Sequence, residues 1–306
     1  MEMNRKKRVL SAKHKDLIFY VLMMAFPTLQ FCVFYIGVNG SSILMTFQNI
    51  DIVTNTTVWT FDTFTRVFKM MTGDPEILSL AKMSLLSYLL LLCIGTPLGV
   101  LFSFYIYKKM PLSGAFRVIL FLPSIISAIV MVTIFQFFVE RAVPAYVKLF
   151  TGKTVPGLME NVDTRFAVII FYNVWVVFGT NVLMYSNGMS AINSEIVESA
   201  HLDGATGIRE FWHITLPSVY PTLSTFLITG VAGIFTNQLN LYSFYGLGAP
   251  PELQTFGYYL YRRVQSAASM SEYPELAAMG FLLTLVAVPL TLAVKYLLEK
   301  FGPKED

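Results

Sequence analysis

The sequence predicts an all-α membrane protein with about six transmembrane helices, and three observations carry that expectation. The chain has 306 residues, of which 55% are hydrophobic and only 13% charged, too little polar surface to cover a water-soluble core of ordinary size. A helix needs about 20 mostly apolar residues to cross the hydrocarbon layer, and about six stretches meet or approach that length with no Asp, Glu, Lys or Arg inside. Several of them hold prolines, at Pro27, Pro97, Pro123 and Pro289, which soluble helix interiors resist but bundled membrane helices accommodate as kinks.

Taken in order, the first run (17–38) follows Arg5, Lys6, Lys7 and Arg8, the arrangement of a secretory leader, but it exceeds the usual apolar core of one. It is therefore expected as a retained anchor. The positive-inside rule puts the basic segment 1–16 in the cytoplasm, and alternation returns Lys108, Lys109 and Arg117, between the second (84–107) and third (118–139) spans, to the same side. The connection 190–213 follows the fourth span (166–189), and the tail with Lys295, Lys300 and Lys304 follows the fifth (214–239) and sixth (276–294). Both termini are thus expected in the cytoplasm, with 17–306 as one transmembrane domain. The longer connections, including 140–165 and 240–275, fall outside.

Composition also excludes function classes. The net charge of +3 is small and the basic residues form no stripe with interleaved aromatics, so nucleic acid is not an expected partner. Cys32 and Cys93 are the only cysteines, which leaves no disulfide framework and no cysteine zinc site. The three histidines, His14, His201 and His213, include no pair at the spacing of a zinc-protease helix, so no metal ligand and no catalytic residue is nominated. Gly152, Lys153 and Thr154 end like a phosphate-binding loop, yet Val147 stands where its leading glycine is needed. The stretch 112–116 (LSGAF) is read as a short Ser-Gly turn. Spans without ionisable groups argue against a proton-coupled carrier, because such carriers hold buried charges to relay protons. Sodium can be held by carbonyls and hydroxyls, so a self-sufficient carrier stays as an alternative.

The segment 195–217, EIVESAHLDGATGIREFWHITLP, is the most informative. It predicts a short helix over 195–202, a turn at Asp203-Gly204, and a second helix over 205–213 carrying Ile208, Phe211 and Trp212, with Pro217 near the start of the next span. One reading is an amphipathic connector resting on the bilayer surface. The other is a docking element, in which Ser199, Ala200, Gly204 and Ala205 permit close approach and Glu198 and Asp203 offer charges.

The spacing of Glu198-Ser199-Ala200, Asp203-Gly204-Ala205, Phe211, Ile214 and Leu216-Pro217 resembles the cytoplasmic signature of binding-protein-dependent ABC importer permeases. Ser199 departs from the usual alanine, and Asn193 stands where the family often has proline. Phe116-Arg117 with Phe121-Leu122-Pro123, Asn173-x-Trp175, the 246–251 turn (GLGAPP) and the 59–68 stretch resemble further parts of the family, the last two its carbohydrate-uptake branch. The resemblance implies a type I importer permease fold in a prokaryotic cell membrane, with 190–213 as the coupling loop and Glu198, Ser199, Ala200, Asp203, Gly204 and Ala205 engaging the ATPase. It implies as partners a second homologous permease, two cytoplasmic ABC ATPase subunits and an extracytoplasmic solute-binding protein. ATP and Mg would sit on the ATPases and no cofactor on this chain. The implied mechanism is alternating access, importing a sugar or oligosaccharide, with a polyol, glycerol phosphate or amino acid as the alternative cargo.

A neutral sugar presents hydroxyls and apolar ring faces, so its path needs hydrogen-bonding side chains and aromatic rings without fixed charge. The fourth span, the fifth span and the residues just after it offer Tyr172, Asn173, Trp175, Thr180, Asn181, Thr236, Asn237, Asn240 and Tyr242. The resemblance implies that Asn173, Thr180 and Asn237 lie near the central cargo site, and Tyr172 and Asn240 are placed on the same path. Asn and Thr also join membrane helices by interhelical hydrogen bonds, so a purely structural role stays open for each.

Overall fold

The computed structural model describes residues 12–51 and 56–303. The basic segment around Arg5–Arg8 and Lys304, on which the expected orientation leans, lie outside them. Packing divides the chain into two units, one of residues up to Phe68 together with Ala267–Phe281, the other of Lys69–Ser266 and the residues from Leu282 onward. Among the described residues, five helices are long and apolar enough to cross a membrane, and a bent helix pair makes a sixth crossing.

In the first unit, the first span runs Lys15–Met45. Leu22, Phe26 and Phe34 are among the many large side chains exposed along it, the surface expected of a helix whose solvent is hydrocarbon. Beyond it, β1 (Gln48–Ile50) pairs antiparallel with β2 (Thr57–Trp59), Asn49 opposite Val58. This hairpin is the exception to the all-α expectation. It is fastened by local contacts: the Thr63 hydroxyl donates to the Gln48 carbonyl at 3.2 Å, and the Phe47 ring lies 5.2 Å from Phe61 and 5.9 Å from Phe64.

In the second unit, the second span (Pro75–Tyr107) starts where Asp74 accepts a hydrogen bond from the Glu76 N–H and Pro75 occupies the first turn, a position where its missing N–H costs nothing. It packs on the fourth span (Val162–Ser190), and the Ser103 hydroxyl, 3.0 Å from the Val182 carbonyl, bridges the two. Three prolines leave the same mark. Leu91–Gly95, Phe138–Ala142 and Phe211–Thr215 widen into π-helix, and Pro97, Pro144 and Pro217 each stand two residues further on. A proline removes one ladder bond and crowds the carbonyl four residues back, and a local widening relieves that crowding without ending the helix.

The third and fifth spans differ from expectation. Instead of one helix over 118–139 there are two, Ser113–Ile125 and Ala128–Thr151, separated by Ile126 and Ser127 in extended conformation (ψ 143° at both). In the 112–116 stretch the turn ends at Leu112 (φ 62°), and Ser113-Gly114, expected within it, instead open the first of these helices. That helix lies so close to the fourth span that a Cβ on Gly179 would come within 2.0 Å of the Leu120 carbonyl oxygen. The fifth span is the bent pair, Ile208–Ser218 and Tyr220–Ala232, at 64° to each other. It ends at Ala232, short of 239, because residues 233–240 turn and Leu239 and Asn240 both take positive φ (51° and 55°). The sixth span is Met270–Phe301.

Candidate functional site

Two features of the second unit are built for work. The first is the 190–213 connection. Its helix, Ser194–Leu202, is capped by Asn193, whose side-chain oxygen accepts the Glu195 N–H at 3.0 Å, so the residue that departs from the family pattern supplies an N-cap that proline could not. The chain then reverses through Gly204 (φ 79°) and Gly207 (φ 59°), with the Ala205 N–H donating to the Ala200 carbonyl at 2.8 Å. The second helix therefore begins at Ile208 and not at 205, since Gly207 holds a φ,ψ pair (59°, −118°) that helix cannot contain.

Glu198, Ser199, Asp203 and Gly204 are exposed, Ala205 is half-buried and Ala200 is buried against the bundle. Around them Leu202 is 90% exposed, Ile208 69% and Trp212 58%. Large apolar side chains beside two carboxylates on a polar turn form a surface of the kind a protein partner covers. The opposite face is anchored. Phe211 is buried against Phe104, ring centres 5.1 Å apart, in a cluster with Val100, Tyr185, Met189 and Val219. Next to it the Glu210 carboxylate is fully buried, its Oε2 2.6 Å from Lys108 Nζ and 2.9 Å from His201 Nε2. Sequence reasoning missed this triad. The available signal was a lone acid one residue before an apolar anchor, facing a lysine that closes the second span.

The second feature is a cavity of about 340 Å³ between the second, fourth and fifth spans. Ser84, Tyr88, Thr96, Asn181, Tyr185, Thr236 and Asn237 supply its polar atoms, and no charged side chain lines it. A neighbouring cavity of about 320 Å³ is lined by Tyr172, Thr180, Asn181 and Asn240 with Ser124 and Met131. The nominated path residues are thus divided. Asn237 faces the first cavity, Tyr172, Thr180 and Asn240 the second, and Asn181 belongs to both. Asn173 lines neither of these two. Its Nδ2 donates to the Ile169 carbonyl at 2.9 Å and the Leu239 carbonyl at 3.0 Å, and its Oδ1 accepts from Asn240 Nδ2 at 2.8 Å. Those bonds tie the strained Leu239-Asn240 turn to the fourth span. Asn237 shapes the same turn through Oδ1, which accepts the Leu239 N–H at 2.9 Å.

Comparison with known proteins bears on the family and the fold. The chain is 32% identical over 137 residues to the probable ABC transporter permease protein MG188 of Mycoplasma genitalium, and 26% identical over 201 residues to the arabinooligosaccharides transport system permease protein AraP of Bacillus subtilis. Those matches cover 43% and 64% of this chain, and 41% and 63% of the relatives' own lengths. In fold it is similar to a chain in the crystal structure of a bacterial ABC transporter involved in the import of the acidic polysaccharide alginate, with a TM-score of 0.77 at 21% identity over 94% of this chain and 98% of that one. The model of the family described as binding-protein-dependent transport system inner membrane component matches residues 95–305, and the chain belongs to that family of multi-pass membrane proteins.

Proposed function

We propose that this chain is a membrane-spanning permease subunit of an ATP-binding-cassette importer for a neutral sugar or oligosaccharide. The observation that carries the reading is the 190–213 connection: an exposed face of Glu198, Asp203, Leu202, Ile208 and Trp212 backed by a buried anchor that fastens it to the ends of the second and fifth spans. A force applied to that face reaches the helices that wall the cavity. Chemistry is left to partners. Two cytoplasmic ATPases bind ATP and Mg and close, the connection swings the bundle between inward-open and outward-open forms, and a solute-binding protein delivers cargo on the far side. Both termini then face the cytoplasm of a prokaryotic cell, and a second homologous permease completes the pore.

The uncharged cavity supports the cargo class. Tyr88 and Tyr185 offer ring faces, and Ser84, Thr96, Asn181 and Asn237 offer donors and acceptors, the mixture that matches a saccharide's hydroxyls and apolar faces. The structural neighbour's acidic polysaccharide differs on this point, since an anionic cargo desolvated in a lining without a cation carries a large penalty. AraP is named for arabinooligosaccharides, and an uncharged saccharide of that kind suits such a lining.

The test is copurification followed by reconstitution. A tagged chain expressed with its natural operon should retain a soluble ATPase, and Glu198→Lys should leave ATP hydrolysis running while uptake falls. A ligand screen on the binding protein identifies the cargo. A preference there for an amino acid contradicts the carbohydrate reading and leaves the permease reading standing.

A further inference from the structure

Among the described residues, Glu210 is the one acid or base in the buried set. Three elements meet on it: Lys108 from the end of the second span, His201 from the helix Ser194–Leu202, and Glu210 itself from the start of the fifth span. Both partners converge on one oxygen, Oε2, while Oε1 is buried with no partner. The Lys108 ammonium also lies over the Phe104 and Tyr107 rings, at 5.8 and 5.6 Å, which holds it in place from the second-span side.

An apolar trio of the same volume would hold three static elements together at least as well, because burying ions costs about as much as their attraction returns. A carboxylate gripped at one oxygen offers something that packing does not. The ammonium is a point charge on a flexible stem, so it keeps its partner while the carboxylate turns. The second oxygen is an unused acceptor an atom's width away. His201 can pass from Oε2 to Oε1 as its helix shifts, with Lys108 remaining paired throughout.

We infer that Glu210 is the joint that carries movement of the Ser194–Leu202 helix to the second and fifth spans, a positioning residue with two bonded arrangements. This inference rests on the importer reading. In that reading the face bearing Glu198 and Leu202 takes the push from the ATPase, the Glu210 joint passes it on, and the spans that wall the cavity move. Removing the joint leaves both the ATPase docking face and the cavity intact but disconnects them.

The experiment uses the assembled importer in nanodiscs, with Cys32→Ser and Cys93→Ser in the permease and a single reporter, Thr236→Cys, on the cavity wall. Three quantities are read: ATPase retained on purification, ATP hydrolysis, and the change in maleimide labelling of the reporter when ATP is added. Glu210→Gln and His201→Ala are expected to keep the ATPase and its hydrolysis while the ATP-dependent change in labelling shrinks at least about fivefold. Glu210→Asp, which keeps the charge, is expected to restore part of it. A wild-type labelling change in both Glu210→Gln and His201→Ala overturns the inference. So does loss of the ATPase from all three variants, since the triad then only holds the fold. A wild-type chain that retains no ATPase overturns the importer reading itself, an outcome the same purification separates from the others.

Discussion

The Lys108 ammonium lies 2.6 Å from the buried Oε2 of Glu210, across 102 residues of sequence, and closes the end of the second span onto the start of the fifth. Because Glu210 is fully buried and Lys108 only partly exposed, removal of the lysine leaves a buried carboxylate with His201 as its one remaining side-chain partner. Lys108→Ala is expected to lower stability by about 3 kcal/mol, the range for breaking a buried pair from one side. The pair Lys295–Glu299, at 3.7 Å with both side chains about half exposed, is the control. Lys295→Ala should change stability by less than about 1 kcal/mol. Thermal unfolding in detergent, followed by tryptophan fluorescence, separates the two.

Gly179 permits the contact between the Ser113–Ile125 helix and the fourth span. Since a Cβ there meets the Leu120 carbonyl at 2.0 Å, and backbone cannot step aside as a flexible side chain can, Gly179→Ala should destabilise by about 1–3 kcal/mol. Gly114, with nothing within 4 Å of its Cβ position, sits in the same short helix. Gly114→Ala should be neutral or gain up to about 1 kcal/mol from helix propensity. The melting temperatures of the two variants should move in opposite directions or differ by several degrees.

Asn193 caps the helix Ser194–Leu202, which carries Glu198 and Leu202. Loss of its side-chain acceptor leaves an orphan N–H in the first turn, so Asn193→Ala should cost about 1 kcal/mol locally, and Asn193→Ser should recover most of that. Hydrogen exchange at Glu195 and Ile196 reads the fraying directly. Global unfolding should barely move.

The two asparagines of the cargo region should behave differently. Asn173 spends its amide on the Leu239-Asn240 turn, so Asn173→Ala takes the side-chain donor from the buried Leu239 carbonyl and should lower stability by about 1–3 kcal/mol. Asn237 lines the first cavity and its Oδ1 also accepts the buried Leu239 N–H, so Asn237→Ala should raise the KM for uptake and cost about 1 kcal/mol of stability besides. Paired uptake and unfolding measurements on both variants check this division.

Much of this architecture was legible from the residues because the bilayer makes heavy demands on them. Span positions follow from runs that must be apolar, the turn after the Ser194–Leu202 helix follows from Asp203-Gly204, and the spaced Phe211, Ile214 and Leu216-Pro217 carry the resemblance to the family. The rest depends on contacts made across long stretches of chain. The break at Ile126 has only weak local signals, Pro123 inside the helix before it and Ser127 at the N-cap position of the next, and an unbroken apolar run masks them. Asn173 reads equally as a cargo ligand and as a turn clamp until Leu239 is seen beside it. Lys108 and Glu210 looked like ordinary residues flanking spans, and Glu210 lay unnoticed inside the very motif that identified the family. Pro97, expected as a kink, stands just past the π-helical stretch Leu91–Gly95, and Pro144 and Pro217 stand likewise past theirs, a pairing that sequence spacing does not reveal.

If the 190–213 connection is where an external motor pushes, the tagged chain purified from its native membrane should carry a soluble ATPase in a stable complex. Leu202→Asp, at a side chain 90% exposed in the isolated chain and therefore harmless to its fold, should abolish that complex. A chain that purifies without an ATPase and takes up sugar alone in proteoliposomes under an ion gradient would contradict this role of the connection.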